Sequence, residues 1–403
     1  MVPVLVSPVL TRLYSLEAFG EFGVFTALVL GLSLIVSGRF EIAIPIPASD
    51  RTAFELLVLS LVAALVSSAV LLGIAGVVVA TVPLDAVYRG LSATVLIALP
   101  LGTVFASASQ SFSYWLTRKR RFGVIGRARA AQGIATGALA IAFGLGHAVP
   151  SGLIVSLVAG YFVGLVMLSR SLSTAEYREL MPGSLASLRS TARSFVEFPT
   201  VNSANALIDT ARESGTMLAF SALFGPAATG LLAQTLRISR APTSLMGQSV
   251  AQVFYQRTSD EIANGRDIVR QVRKTMLGLL AAGVPIYLTL LAAGPWLFAF
   301  VFGAPWRPSG EFARILAPWL LLNFVLSPVS LLPVVTGRQP AALRLNLVDT
   351  ALRFIALGAG AYLGGPATAV AAFSVAGVCV GLFQLWWYTR LAKTAPSETR
   401  SAA

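Results

Sequence analysis

The stretch FGEFGVFTALVLGLSLIVSGRF, residues 19–40, holds Glu21 near one end, Arg39 near the other and no charged residue between them. A helix crosses the hydrocarbon core with about 20 apolar residues, so this stretch predicts a membrane-spanning helix. Comparable runs follow near 53–80, 91–115, 126–146, 150–168, 197–223, 228–253, 275–299, 313–335, 341–363 and 366–390. A shorter apolar run, 1–13, precedes them. The chain has 403 residues, of which 56% are hydrophobic and 12% charged. Soluble domains carry about 25% charged residues; half that share cannot cover a water-facing surface. The expectation is an all-α integral membrane protein of about twelve transmembrane helices, the first truncated. No cleavable signal is read at the start, which lacks a basic n-region.

Charge placement adds a topology. The formal net charge is +13, yet the basic residues fall in alternate connections: Arg51, then Arg118 to Arg121, then the stretches 169–196 and 255–274, then Arg338, then Arg390 and Lys393. The other connections hold only Arg12, Arg89 and Arg307. That alternation follows the positive-inside rule. It places both termini in the cytoplasm and reads the basic loops as topology signals and anionic-lipid contacts, with no nucleic-acid role. Cys379 and His147 are the single cysteine and the single histidine, so neither an internal disulfide nor a thiolate or imidazole metal cluster is expected. Nothing resembles a catalytic set or a phosphate-binding loop, and no enzyme activity or cofactor is expected.

An internal repeat is visible. Leu13-Tyr14-Ser15 with Phe19-Gly20 recurs as Leu223-Phe224-Gly225 with Thr229-Gly230, at an offset of 230 − 20 = 210 residues. The expected organisation is an N-terminal six-helix half with a cytoplasmic linker, 1–195, and a C-terminal six-helix half, 196–403. Two such halves in parallel orientation would surround a central cavity.

Polar residues at membrane depth are costly and mark candidate functional positions. Asn202, Asn205, Asp209, Arg212 and Thr216 recur at helical spacing, with Glu213 beside them. Gln234, Arg237, Arg240, Ser244 and Gln248 follow on the next segment, and Arg344, Asn346, Asp349 and Arg353 lie further on. Arg39 and Glu41 end the second segment as N-terminal contributors. Two readings stand side by side. Asp209 with Arg212, and Asp349 with Arg353, can pair as buried ions one turn apart. Alternatively the arginines serve an anionic substrate, since guanidinium forks suit phosphate oxygens, while the carboxylates serve a coupling cation or position the arginines. Pro285, Pro295, Pro318, Pro328 and Pro333 are expected to interrupt the ninth and tenth segments.

Several of these stretches carry a resemblance. LTRLYSLEAFGEFGVF (10–25), RFEIAIPIPASD (39–50), Phe198-Pro199, SALFGPAATG (221–230) and MGQSVAQVFYQR (246–257) resemble polysaccharide-unit flippases. These form the Wzx-type branch of the superfamily that also holds multidrug exporters and lipid-II flippases. The resemblance implies a flippase moving oligosaccharide repeat units on undecaprenyl pyrophosphate across the bacterial cytoplasmic membrane by alternating access. The implied substrate-binding residues are Asn202, Asn205, Asp209, Arg212, Glu213, Arg237, Arg240, Gln248, Asp349 and Arg353. The cationic role falls on Arg212, Arg237, Arg240 and Arg353. H+ or Na+ is the implied coupling cation, and a polysaccharide polymerase with its chain-length machinery the implied partner. Relatives have a full first helix before the LTRLY-like turn, whereas about nine residues precede it here. The rivals are a drug exporter or lipid-II flippase, or a polysaccharide polymerase or ligase. Lipid-II flippases generally add two C-terminal helices, and polymerases need a large external loop; the longest expected here, about 300–312, is short.

Overall fold

The computed structural model describes residues 2–81, 92–146, 150–181, 184–263 and 268–401. It describes the backbone alone at 2–3, 150, 174–175, 179, 201–209, 212–213, 245–249, 252, 259, 262–263, 334 and 395–401. Arg89 and His147 lie outside the described residues. Among those described every regular element is helical. Among the described residues nine helices are long and apolar enough to cross a membrane, and Val4–Leu13 is a shorter apolar one. The chain is a multi-pass, all-α membrane protein. Among the described residues the apolar count stays below twelve.

Backbone contacts divide the chain into two compact units, Met1–Gly230 and Leu231–Ala403. In the first, α1 (Val2–Leu13) and α2 (Leu16–Val36) precede a short α3 (Phe40–Ala43) and a long α4 (Asp50–Thr81). Then come α5 (Ala93–Arg118), α6 (Phe122–Gly146) and α7 (Pro150–Ser169), the short α8 (Thr174–Leu180) and α9 (Leu185–Ser194), and α10 (Ser203–Ser239), which belongs to the second unit from Leu231 on. The second unit continues with α11 (Ala241–Ala263), α12 (Val269–Phe302), α13 (Arg307–Val329), α14 (Leu332–Val335), α15 (Gln339–Leu363) and α16 (Pro366–Ser401).

Several expectations are corrected. Arg39 and Glu41 do not end a spanning helix: α2 stops at Val36, Gly38 and Arg39 take left-handed angles, and Glu41 lies in α3. Pro285 and Pro295 sit inside an unbroken α12, and Pro318 and Pro328 inside α13. Only Pro333 lies in a short separate helix. Proline in membrane helices is tolerated where neighbours satisfy the freed carbonyls. The connection expected over 300–312 shrinks to Gly303 and one 3-10 turn, Ala304–Trp306. The linker 169–196 contains α8, opened by a Ser173–Glu176 capping box, and α9, capped by Ser184.

The two turns of the repeat pack on each other within the first unit. A methyl group on Gly20 would lie 1.9 Å from the Pro226 carbonyl oxygen, and one on Gly230 would lie 2.0 Å from that of Leu16. Since 226 − 16 = 210 and 230 − 20 = 210, the contact is reciprocal at the offset seen in the sequence. Residue i meets j′ while j meets i′, which is the signature of a local two-fold relation. Membrane helices lack a hydrophobic drive to associate and rely on such close backbone approach. Further along the same pair, Ser214 Oγ donates to Ala27 O at 2.7 Å and Thr210 Oγ1 to Gly31 O at 3.2 Å. Gly225 separates the two arms of α10 with φ 78° and ψ 177°, a conformation that an L side chain resists.

The basic end of the first unit is tied by charge. Arg118 Nε donates to Asp50 Oδ1 at 2.9 Å, and its Nη atoms donate to the carbonyls of Pro47 (2.6 Å) and Ala48 (3.1 Å). Lys119 Nζ donates to Asp50 Oδ2, and Arg121 to Glu176 Oε1 at 2.7 Å. Buried Glu55 accepts hydrogen bonds from Ser187 and Thr191, docking α9 onto α4. Beneath these lies an apolar cluster around Phe54 and Trp115, whose rings meet edge to face at 5.3 Å. The residues read as topology signals therefore also close the fold.

Candidate functional site

Helix α5 carries Ser109, Gln110, Ser113, Tyr114 and Thr117 along one side, the i, i+4 spacing that keeps side chains on one helical face. Its first turn is capped by Ser92. Helices α2, α6 and α7 pack around that side. Together the four line a half-open cavity of about 660 Å³. Arg129 and Gln132 enter it from α6 and Tyr161 from α7. None of its lining residues is acidic.

Its hydroxyls are only partly engaged. Ser113 Oγ donates to Ser109 O at 2.7 Å and Thr117 Oγ1 to Ser113 O at 2.8 Å, while the buried Ser109 Oγ has no partner among the described residues. Gly164 lies close to Gln132, since a methyl added there would stand 3.1 Å from its Oε1. Helix α7 thus presents a gap that leaves room for the amide. Nothing in the sequence analysis singled out these residues. Each is an ordinary polar residue in a weakly amphipathic helix, and the signal was their spacing over 109–117.

The second unit treats its polar residues differently. Arg353 Nε donates to Asp349 Oδ1 at 2.6 Å, one turn away on α15. Its guanidinium lies 4.8 Å from the Trp319 ring centre and 5.4 Å from that of Phe373. Trp319 and Phe373 meet edge to face at 5.4 Å. Arg240 lies over the same indole at 5.6 Å. Asp349 and Trp319 are 4% and 3% exposed. A planar guanidinium suits both a carboxylate and an aromatic face. Of the two readings open in sequence, the structure places Asp349 and Arg353 in the paired one. Trp319 and Phe373 were not foreseen, since no local pattern links them to 349–353.

The remaining sequence candidates fall as follows. The backbone positions 202, 205, 209, 212, 213 and 216 lie on or at the start of α10. The side chains of Asn202, Asn205, Asp209, Arg212, Glu213 and Gln248 lie outside the described residues. By the helical period, positions 202, 205, 209, 212 and 216 occupy a different face from Thr210 and Ser214, which meet α2. Arg237 is half-buried near the end of α10. Glu41, 1% exposed, stands 3.8 Å from Arg39, and neither of its carboxylate oxygens has a hydrogen-bond partner. Among the described residues, no cluster of three or more potential ligands could hold a metal ion.

A family described as "Polysaccharide biosynthesis protein" matches residues 9–311. No curated protein matches the chain in sequence. Among solved structures it is similar to an inward-facing multidrug resistance MATE family transporter of the MOP superfamily. That match has TM-score 0.71 and 13% identity, and covers 99% of this chain and 94% of the other. It is similar also to the lipid II flippase MurJ in an inward closed conformation, with TM-score 0.71 and 12% identity, covering 97% and 88%. A point mutant of the Vibrio cholerae MATE transporter VcmN matches at TM-score 0.55 and 15% identity, covering 98% and 92%. At such identities these likenesses establish the fold.

Proposed function

The chain belongs to the polysaccharide biosynthesis protein family, and from that premise we propose that it is a flippase for lipid-linked oligosaccharide. It moves repeat units carried on undecaprenyl pyrophosphate from the cytoplasmic to the outer leaflet of the bacterial cytoplasmic membrane, by alternating access and without chemical conversion. The observation that carries this reading is the family match across residues 9–311. The fold shared with a MATE transporter and with MurJ supports it. The alternation of basic loops supports cytoplasmic termini.

In this reading Arg212, with Asn202, Asn205, Asp209 and Glu213 on α10, meets the pyrophosphate, joined by Arg237, Arg240 and Gln248. A guanidinium binds phosphate oxygens in a bidentate fork. Asp349 and Arg353 contribute as a pair whose carboxylate orients the guanidinium. Coupling to H+ or Na+ and hand-over to a polymerase with its chain-length machinery complete the proposal. A multidrug exporter is the second reading, favoured by the MATE-like fold.

The test measures undecaprenyl-pyrophosphate-linked oligosaccharide in a strain lacking the gene, then after restoring the intact chain or Arg212→Ala. Complete units accumulating inside, and cleared by the intact chain alone, are the expected result. Clearance by Arg212→Ala as well removes that residue from the site. Unchanged pools sink the flippase and favour the exporter.

A further inference from the structure

The polar cavity of the first unit has the chemistry of a sugar site. Gln110, Tyr114, Gln132 and Tyr161 line it, and among the described residues none of their side chains makes a hydrogen bond. Two carboxamides and two phenols offer donors and acceptors in near balance. That balance matches a ring of hydroxyls, each of which also donates and accepts. The phenol rings add apolar faces for the C–H side of a pyranose.

Within a membrane protein an unpaired amide or hydroxyl costs free energy unless it is wet or bound. Four such residues facing one space, with Ser109 Oγ also unpaired, form a surface that a polar ligand completes. A cationic drug finds no counter-ion there, because no lining residue is acidic. A fully anionic headgroup finds one guanidinium only, Arg129. The volume of about 660 Å³ falls in the range, roughly 300–1,000 Å³, that encloses a drug-sized ligand. It suits a few sugar rings and not a polyprenyl carrier.

We propose that the cavity bounded by α2, α5, α6 and α7 is a glycan subsite, in which Gln110 and Gln132 bind sugar hydroxyls and Arg129 meets an acidic sugar. The proposal rests on the flippase reading and adds to it where the saccharide sits. The pyrophosphate is assigned to the α10 arginines, and the sugar to this cavity. Recognition by neutral amides tolerates different sugars of similar outline, and Arg129 adds a preference for units with an acidic residue.

The experiment uses the full chain, purified and held in lipid nanodiscs. Binding is titrated with lipid-linked oligosaccharide extracted from a strain lacking the gene, and separately with undecaprenyl pyrophosphate bearing no sugar. Gln110→Leu and Gln132→Leu are each expected to weaken binding of the glycan-bearing lipid about tenfold, roughly one lost hydrogen-bonded group. Binding of the bare carrier stays unchanged, which also reports that each variant is folded. Arg129→Ala is expected to lose affinity only for units with an acidic sugar, and unchanged affinity for such units overturns its role.

Equal affinities of the intact chain and both glutamine variants for the glycan lipid overturn the subsite while leaving the flippase. An equal fall for both lipids overturns it too, because the cavity then acts on the carrier or on the fold. Failure of the intact chain to bind either lipid overturns the flippase reading and the subsite together.

Discussion

An ion pair in the second unit and a polar cleft in the first handle polarity inside membrane helices in opposite ways. In the second, the loud sequence charges at 349 and 353 are consumed by the protein itself: the carboxylate takes one edge of the guanidinium and two aromatic rings cover it. In the first, quiet residues such as Gln110, Gln132 and Tyr161 face a cavity and pair with nothing described. Charge in a membrane must be neutralised locally, so it draws its partners to itself. Neutral polar groups cost less to leave unpaired, and a fold can hold them open for a ligand. The paired charges at 349 and 353 are therefore not where the open surface lies.

Asp349→Ala should cost the most stability, about 3 kcal/mol, because it removes the carboxylate that the largely covered Arg353 guanidinium donates to. Thermal unfolding in detergent, followed by tryptophan fluorescence, measures this. A loss below about 1 kcal/mol would mean that Arg353 is solvated and the contrast is false. The double replacement Asp349→Leu with Arg353→Met sharpens the point. Removing a buried pair together is often neutral or stabilising by about 1–4 kcal/mol, so this variant should unfold well above Asp349→Ala. If its transport also survives, the pair has no part in substrate binding.

Glu41 is an intermediate case, a buried charge with a poor partner at 3.8 Å. It lies in the connection between α2 and α4. Burial pushes its carboxyl above the usual carboxylate range, with the nearby Ser37, the local backbone and Arg39 only partly opposing. The folded state therefore holds this proton longer than the unfolded chain does. Stability falls as pH rises from the ordinary carboxylate value, about 4.3, through the raised folded one, and the loss persists above it. Glu41→Gln removes that loss. Its advantage should be on the order of 1 kcal/mol at pH 8 and should vanish near pH 4. A pH-independent effect would show that Glu41 stays charged in the fold.

Gln132→Leu should change stability least, within about 0.5 kcal/mol, since no bond within the protein is broken. A large loss of melting temperature would reveal a partner for this amide and close the contrast between the units.

Much of the architecture was readable in advance. Runs of apolar residues report helices directly, because hydrocarbon leaves the backbone no other partner than itself. The 210-residue offset reappears as the Gly20 and Gly230 contact. The i, i+4 spacing of Asp349 and Arg353 allowed their pairing, though it left the functional reading equally open. The helices of the linker were missed, although Ser173 and Glu176 spell a capping box. The prolines of α12 and α13 were overread as breaks.

What the sequence by itself determined is whatever depends on neighbours along one helix: membrane spans, the basic alternation, a one-turn ion pair and the repeat. Tertiary structure alone decided what several helices build together. Trp319 and Phe373 reach Arg353 from two other helices, and Arg118 gathers the carbonyls of Pro47 and Ala48 from about 70 residues away. The cavity needs α2, α5, α6 and α7 at once. Each contributes a few polar residues that a single helix cannot distinguish from ordinary ones, because enclosure is a property of the packing and not of any one stretch of sequence.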